Sequence, residues 1–316
     1  MSIFLSTLNQ MGFLCVLIVI GYILRKLKAV PDNTASALSK LENKVLVPAL
    51  VLGTFMEGFT VSSFSTAWQY ILGGAVVVGI SIPVAIIVSR ICSRDAYIRN
   101  LFTYGLSFSN FGFVGNAVVM ALFPAVFTDY LIFVIPLWFM IYVWGVPILL
   151  IPKDEKKSGI LGRLKAFVNP MFIAMLIGMI FGICGVTKYL PDFAVSSVKT
   201  LGDCMSPIAM LLTGMTVAEI DLKKALSNFS VYAVTAVRLL IIPLITIGAL
   251  CLIDVPYPLA ICIICSVSMP LGLNTIVIPK AYDLDSTVAS GMALISHLLS
   301  IGTIPLVFMI FELLVK

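Results

Sequence analysis

Ten long apolar stretches constrain this chain more tightly than any motif in it. They cover residues 4–24, 35–56, 67–88, 98–123, 130–151, 170–186, 194–217, 231–253, 258–282 and 288–314. A helix needs roughly 20 apolar residues to cross the hydrocarbon of a bilayer, and most of the stretches reach that length. In lipid only helices and closed barrels satisfy every backbone polar group, and continuous runs of this kind lack the alternation of barrel strands. The sequence therefore predicts an all-α integral membrane protein with ten transmembrane helices. Its 60% hydrophobic and 11% charged residues leave too little polar surface to cover a globule in water. The spans and their short connections fill the 316 residues, so no separate soluble domain is expected. The first run, Phe4 to Leu24, has no basic leading segment and is followed by Arg25, Lys26 and Lys28 rather than a small-residue cleavage site. That pattern reads as a retained helix.

The formal charge of +5 carries topology rather than a nucleic-acid footprint. Arg25, Lys26, Lys28, Lys40, Lys44, Arg90, Arg94, Arg99, Lys153, Lys156, Lys157, Arg163, Lys165, Lys223, Lys224 and Lys280 fall on one side, against Lys188, Lys199 and Lys316 on the other. The positive-inside bias makes the first side cytoplasmic and puts both termini outside a cell membrane, inner or plasma. The seven cysteines are odd in number and lie mostly within apolar runs, so no disulfide framework follows. Cys262 and Cys265 have redox-motif spacing, but a reactive thiolate needs accessible, polarised surroundings, and the pair reads as two small apolar residues on an embedded helix. A single histidine argues against a metal site. No nucleophile, base and orienter stand together, so no enzyme and no cofactor are expected.

Structure-breaking residues recur at nearly constant separation. Pro31 and Pro191 differ by 160 positions, Pro48 and Pro207 by 159, Pro83 and Pro243 by 160, Pro147 and Pro305 by 158, and Asn116 and Asn274 by 158. Five pairs in register across five successive helices indicate an internal repeat. Residues 1–152 form the first five-helix repeat, 153–166 a cytoplasmic connecting loop, and 167–316 the second repeat. An odd number of spans per repeat makes the second enter the membrane from the opposite face, giving an inverted pair.

Two spans carry matching interruptions, SFSNFGFVGN at 107–116 and CSVSMPLGLN at 265–274. Glycine and proline in mid-span free backbone groups that only protein or water can tolerate. If both helices unwind and cross there, half-helix N-termini meet near the midplane and offer free amides and partial positive charge to an anion. The candidate binding residues are Asn110, Gly112, Gly115, Asn116, Pro270, Gly272 and Asn274. The glycines fit close helix packing equally well. Asn116 and Asn274, related by the repeat, favour function, whereas Asn110 has no asparagine partner and fits either role. Arg238, about eight residues into the eighth stretch, either offsets the C-terminal dipole ends of the crossed helices, pairs with an acid such as Asp203, or snorkels to the headgroups. His297 reads first as an interhelical hydrogen bonder. Glu42 and Asp203 precede Pro48 and Pro207 and read as coupling groups or as solvated helix-end charges. No carboxylate lies in either interrupted segment, which argues against cation or proton exchange.

These residues resemble the auxin efflux carrier family in its short prokaryotic form. The resemblance covers essentially the whole chain, through GYILRKLKAV at 21–30, LVPALVLGTF at 46–55, SNFGFVGN at 109–116, VRLLIIPL at 237–244 and MPLGLNTIVIPKAY at 269–282. It implies a ten-helix fold related to bile acid:sodium symporters, with a scaffold of spans 1, 2, 6 and 7. The transport domain would comprise spans 3–5 and 8–10 and move elevator-fashion. The family's crossover asparagine in helix 4 corresponds to Asn110 or Asn116, and its helix 9 proline and asparagine to Pro270 and Asn274. Family members are associated with organic acid anions such as auxin, malate or malonate. The long hydrophilic central loop of many plant carriers is missing, which removes any reason to assume auxin itself. The resulting expectation is a secondary transporter of small organic anions in the lipid bilayer, with a homodimer compatible but unmarked. A sodium-coupled symporter is the alternative within transport, and a ligand sensor without transport is the alternative outside it.

Overall fold

A computed structural model of the chain describes residues 3–151, 168–219 and 227–315. The expected connecting loop at 153–166 lies outside the described residues. So do Lys153, Lys156, Lys157, Arg163, Lys165, Lys223, Lys224 and Lys316, on which part of the expected orientation rests. Among the described residues helices dominate, and the only extended pairing is an isolated bridge between Ser109 and Leu271.

In chain order the helices are α1 (Ile3–Lys26), α2 (34–58), α3 (Val61–Cys92), α4 (Ala96–Ser107), α5 (Phe111–Leu122), α6 (Pro124–Leu150), α7 (Pro170–Cys184), α8 (Asp192–Ala218), α9 (Phe229–Leu252), α10 (Tyr257–Ser268), α11 (Asn274–Ala281) and α12 (Thr287–Val315). Six of them, α1, α3, α6, α8, α9 and α12, are long and apolar enough to cross a bilayer. Their outer faces leave large apolar side chains open, with Ile80 at 61% and Ile245 at 68% exposure. Water penalises such a surface and lipid tails accept it. The chain is an all-α, multi-pass membrane protein.

Several helices start on polar caps. Thr60, Asp95, Asn169 and Asn228 accept the amides of Ser63, Ile98, Phe172 and Ser230, satisfying donors that have no partner inside the helix. Gly185, at φ 63°, ends α7 in the left-handed conformation that costs glycine nothing. Prolines loosen some of the long helices instead of ending them. Wider π-type turns span Glu42–Leu46 just before Pro48 and Val237–Ile241 just before Pro243. A proline lacks the amide for the regular ladder, and its ring crowds the carbonyl four residues back.

Two helix pairs close over glycine seams. α1 lies along the second half of α8, and α7 lies along the second half of α2. A β-carbon on Gly21 would come 2.1 Å from the Leu211 carbonyl oxygen, and one on Gly214 would come 1.9 Å from that of Ile18. In the other pair, Gly178 faces the Leu52 carbonyl oxygen at 2.9 Å and Gly182 that of Phe59 at 2.3 Å. Lipid supplies no hydrophobic force between helices, so association rests on this kind of backbone approach. The first half of α8 also touches α2, which joins α1, α2, α7 and α8 into one group. The other helices gather around α4 and α10, with α3 against α4 and α6, and α9 against α10 and α12. Phe102, Tyr104, Phe108 and Phe133 are buried among them.

Candidate functional site

Both interruptions expected from the sequence are breaks in the helices, and they touch. α4 ends at Ser107, and Phe108 turns extended at φ −124°, ψ 107°. α10 ends at Ser268, and Met269 is extended at φ −72°, ψ 152°, as the residue before a proline prefers. Across the crossing the Asn110 amide donates to the Pro270 carbonyl at 2.7 Å, and the Ser109 hydroxyl donates to the Ser266 carbonyl at 2.6 Å. The Leu271 amide donates to the Ser296 hydroxyl of α12 at 3.2 Å. Several of the backbone groups freed by unwinding are thus taken up by protein, as irregular chain inside a membrane requires.

Each chain then restarts as a helix. The Asn110 carbonyl accepts from Val114 and Gly115, both at 3.1 Å, and the Leu273 carbonyl accepts from Ile276 at 2.9 Å. The crossing's antiparallel bridge pairs Gly272 with Phe108, whereas no backbone acceptor among the described residues takes the amides of Phe111, Gly112 and Phe113, or of Leu273 and Asn274. Both first turns line one cavity of about 130 Å³, walled by Tyr104, Trp138, Tyr142 and Asn43. None of the residues lining it is acidic.

The cavity brings together Asn110, Gly112, Gly272 and Asn274. Asn274 donates to the Tyr104 hydroxyl at 3.0 Å. Asn110 Nδ2 lies 3.1 Å from His297 Nε2, and His297 Nδ1 lies 2.7 Å from the Ala293 carbonyl. A carbonyl only accepts, so Nδ1 carries the proton and Nε2 accepts from Asn110. His297 is therefore a hydrogen-bonding brace for Asn110, which keeps its second Nδ2 hydrogen and its Oδ1 for other partners.

The remaining candidates stand apart from the cavity. Asn116 is 1% exposed, and its side-chain amide has no hydrogen-bond partner among the described residues. Gly115 makes room for Tyr130, whose hydroxyl would meet an added β-carbon at 2.3 Å and donates to the Phe111 carbonyl at 3.1 Å. Pro270 contributes its carbonyl to the crossing. Arg238 is 2% exposed and neither snorkels nor pairs with Asp203, which is exposed beside the kink of α8. Its guanidinium donates to the carbonyls of Leu106 at 3.0 Å, Ser266 at 3.1 Å and Met269 at 3.2 Å. Of the two acids before prolines, Asp203 is exposed. Glu42 is fully buried, and both of its oxygens lack a hydrogen-bond partner among the described residues.

Sequence reasoning missed the aromatic walls Tyr104 and Trp138. Tyr104 lies six residues before Asn110 on a helix whose polar and apolar residues gave no reason to single it out. Trp138 comes from α6, with its ring 6.1 Å from that of Phe111, and no local signal ties it to the break.

A family model described as membrane transport protein matches residues 6–308, nearly the whole chain. No curated protein matches it.

Proposed function

The chain belongs to the auxin efflux carrier family of membrane transport proteins, and on that premise we propose that it carries small organic acid anions. The observation behind this reading is the convergence of two helix starts with unused amides on one cavity without an acid. Each helix start carries partial positive charge, worth about 0.3–1 kcal/mol to a nearby anion at an exposed site and up to about 2 kcal/mol when partly buried. The opposite ends of α4 and α10 carry the matching negative charge, and Arg238 covers them. A carboxylate then takes the first-turn amides of α5 and α11, with the second Nδ2 hydrogens of Asn110 and Asn274 as side-chain donors. Asn116 sits one turn deeper in α5, outside the cavity.

Alternating access comes from two inverted repeats in this reading. The recurring prolines support it, and so do the glycine seams. The Gly21 and Leu211 contact has its counterpart in Gly178 and Leu52, with offsets of 157 and 159 positions. The bridge between Ser109 and Leu271, 162 positions apart, joins residues that are close to equivalent, as a two-fold axis through the crossing requires. α1, α2, α7 and α8 serve as the scaffold. The other helices form a transport domain that moves as an elevator and carries the crossing with it.

Charge movement across proteoliposomes on a solid-supported membrane tests the substrate class, with malate, malonate, acetate and an indole acid in sodium and sodium-free buffers. A saturable current with at least one carboxylate, independent of sodium, is expected. Asn110→Ala and Asn274→Ala should each raise KM about tenfold, the loss of one hydrogen bond to a charged group at about 1.5 kcal/mol. A current that needs sodium transfers the protein to coupled symport. Silence with every acid, together with no uptake of labelled acid by folded protein, sinks the anion reading.

A further inference from the structure

Arg238 is a fully buried guanidinium in a membrane helix, and among the described residues no carboxylate pairs with it. A charge in that position is costly unless its donors are engaged. All three of its nitrogens donate, and all three acceptors are main-chain carbonyls at the crossing. Leu106 lies in the last turn of α4, Ser266 in the last turn of α10, and Met269 just past it. Carbonyls in the last turn of a helix have no partner within the helix, and lipid offers none. One planar fork therefore closes the ends of both broken helices at once.

We propose that Arg238 is a positioning residue for transport: it clamps the C-terminal ends of α4 and α10 together and thereby sets the separation of the two helix starts that face the cavity. The inference rests on the anion reading only for its transport consequence, because the clamp itself is a matter of geometry. Two of the three acceptors adjoin a bond of the crossing. The Ser266 carbonyl is shared with the Ser109 hydroxyl, and Met269 precedes the proline whose carbonyl takes the Asn110 amide. If either helix end shifts, Asn110 shifts relative to Gly272 and Asn274. The position equivalent to Arg238 in the first half, at the 160-position offset of Pro83 and Pro243, is Val78. One arginine thus serves both halves, as a group near their common axis can. The π-type turn Val237–Ile241 that carries it belongs to the second half alone among the proline-matched helices α3 and α9.

Lysine keeps the charge but replaces the fork with a compact ammonium on a flexible stem, which cannot span three carbonyls on two helices in one plane. The clamp therefore predicts that Arg238→Lys behaves like Arg238→Gln, whereas an arginine acting through its charge alone would leave the lysine variant close to wild type. Two readouts are needed on purified protein in proteoliposomes. Carboxylate transport kinetics should give a KM at least fivefold higher in both variants. Hydrogen–deuterium exchange should rise at least tenfold at the hydrogen-bonded amides of the two breaks, Asn110, Val114, Gly115 and Leu271, and remain unchanged along the seam of α1 and α8. A lysine variant with wild-type KM and wild-type exchange at the breaks overturns the clamp, and so does faster exchange spread evenly through the protein. If wild-type protein moves no carboxylate, the anion reading fails while the exchange experiment still decides the clamp. Should neither arginine variant fold, Ser109→Ala removes the other donor to the Ser266 carbonyl and leaves Arg238 in place. Exchange should then rise at the same two breaks by a smaller factor, and no change there makes Arg238 a folding residue and ends the proposal.

Discussion

An added methyl group at Gly115 would come 2.3 Å from the Tyr130 hydroxyl, whereas one at Gly112 would find only Trp138 Nε1, at 4.0 Å. Gly115→Ala therefore overpacks a buried contact, at about 1–3 kcal/mol. Gly112→Ala adds volume where a solute would sit. The expected outcome is a split. Gly115→Ala lowers the melting temperature by several degrees with KM little changed, and Gly112→Ala keeps the melting temperature and raises KM at least threefold. Thermal unfolding in detergent alongside uptake kinetics checks both, and the reverse pattern would remove Gly112 from the binding surface. The sequence put both glycines into one candidate set because what separates them is Tyr130, on a different helix. The asparagines are similar. The repeat spacing favoured Asn116, but Asn110 faces the cavity because its amide is held by Pro270 and its side chain by His297, 187 positions away. Side-chain direction at a break depends on such distant partners, and no local pattern carries it.

Helix positions were more legible than side-chain roles. The apolar stretches gave the helices, and SFSNFGFVGN and CSVSMPLGLN gave the breaks, whereas the starts capped by Thr60, Asp95, Asn169 and Asn228 were not singled out. The π-type turns at Glu42–Leu46 and Val237–Ile241 were not legible. A proline permits a loosened turn but does not say whether the helix will kink, widen or stop, and the neighbours choose. The glycine seams sit between these cases. Gly21, Gly178, Gly182 and Gly214 are visible in the sequence, but their partners are not. The Gly214 seam has the closest backbone approach, 1.9 Å for an added β-carbon to the Ile18 carbonyl oxygen. Gly214→Leu is expected to separate α1 from α8 and to abolish folded protein, while Gly248→Leu, with nothing within 4 Å of its β-carbon position, is expected to be neutral. Size-exclusion profiles of the two variants compare them directly, and a well-folded Gly214→Leu protein would refute the seam.

At the scale of the whole molecule, one ion-pair network among the described residues ties the two helix groups together. Glu219, at the end of α8, accepts from Arg25 Nε of α1 at 3.1 Å and from Lys280 of α11 at 2.5 Å, and Arg25 also holds Asp32. Arg25 and Glu219 both belong to the proposed scaffold, whereas Lys280 rides on the half-helix that begins at Asn274. The sequence marked Arg25 and Lys280 only as cytoplasmic charges, because Glu219, 194 positions from the one and 61 from the other, meets them only after folding. The bond between Glu219 and Lys280 must break if the transport domain slides past the scaffold. Lys280 is 57% exposed and Glu219 23%, so solvent screens the pair and its worth stays at about 0–1 kcal/mol. Glu219→Gln should therefore raise the initial transport rate by at most about fivefold, the factor that about 1 kcal/mol corresponds to. The effect should shrink in wild-type protein as added salt weakens the same contact. The exchanged pair Glu219→Lys with Lys280→Glu puts opposite charges back across the gap, though it sets the introduced ammonium against Arg25, so it should recover part of the wild-type rate. Initial rates of the three proteins at low and high salt measure this. A Glu219→Gln rate equal to wild type at low salt would mean that Lys280 does not leave Glu219 during the cycle, and that the sliding surface between the two helix groups lies elsewhere.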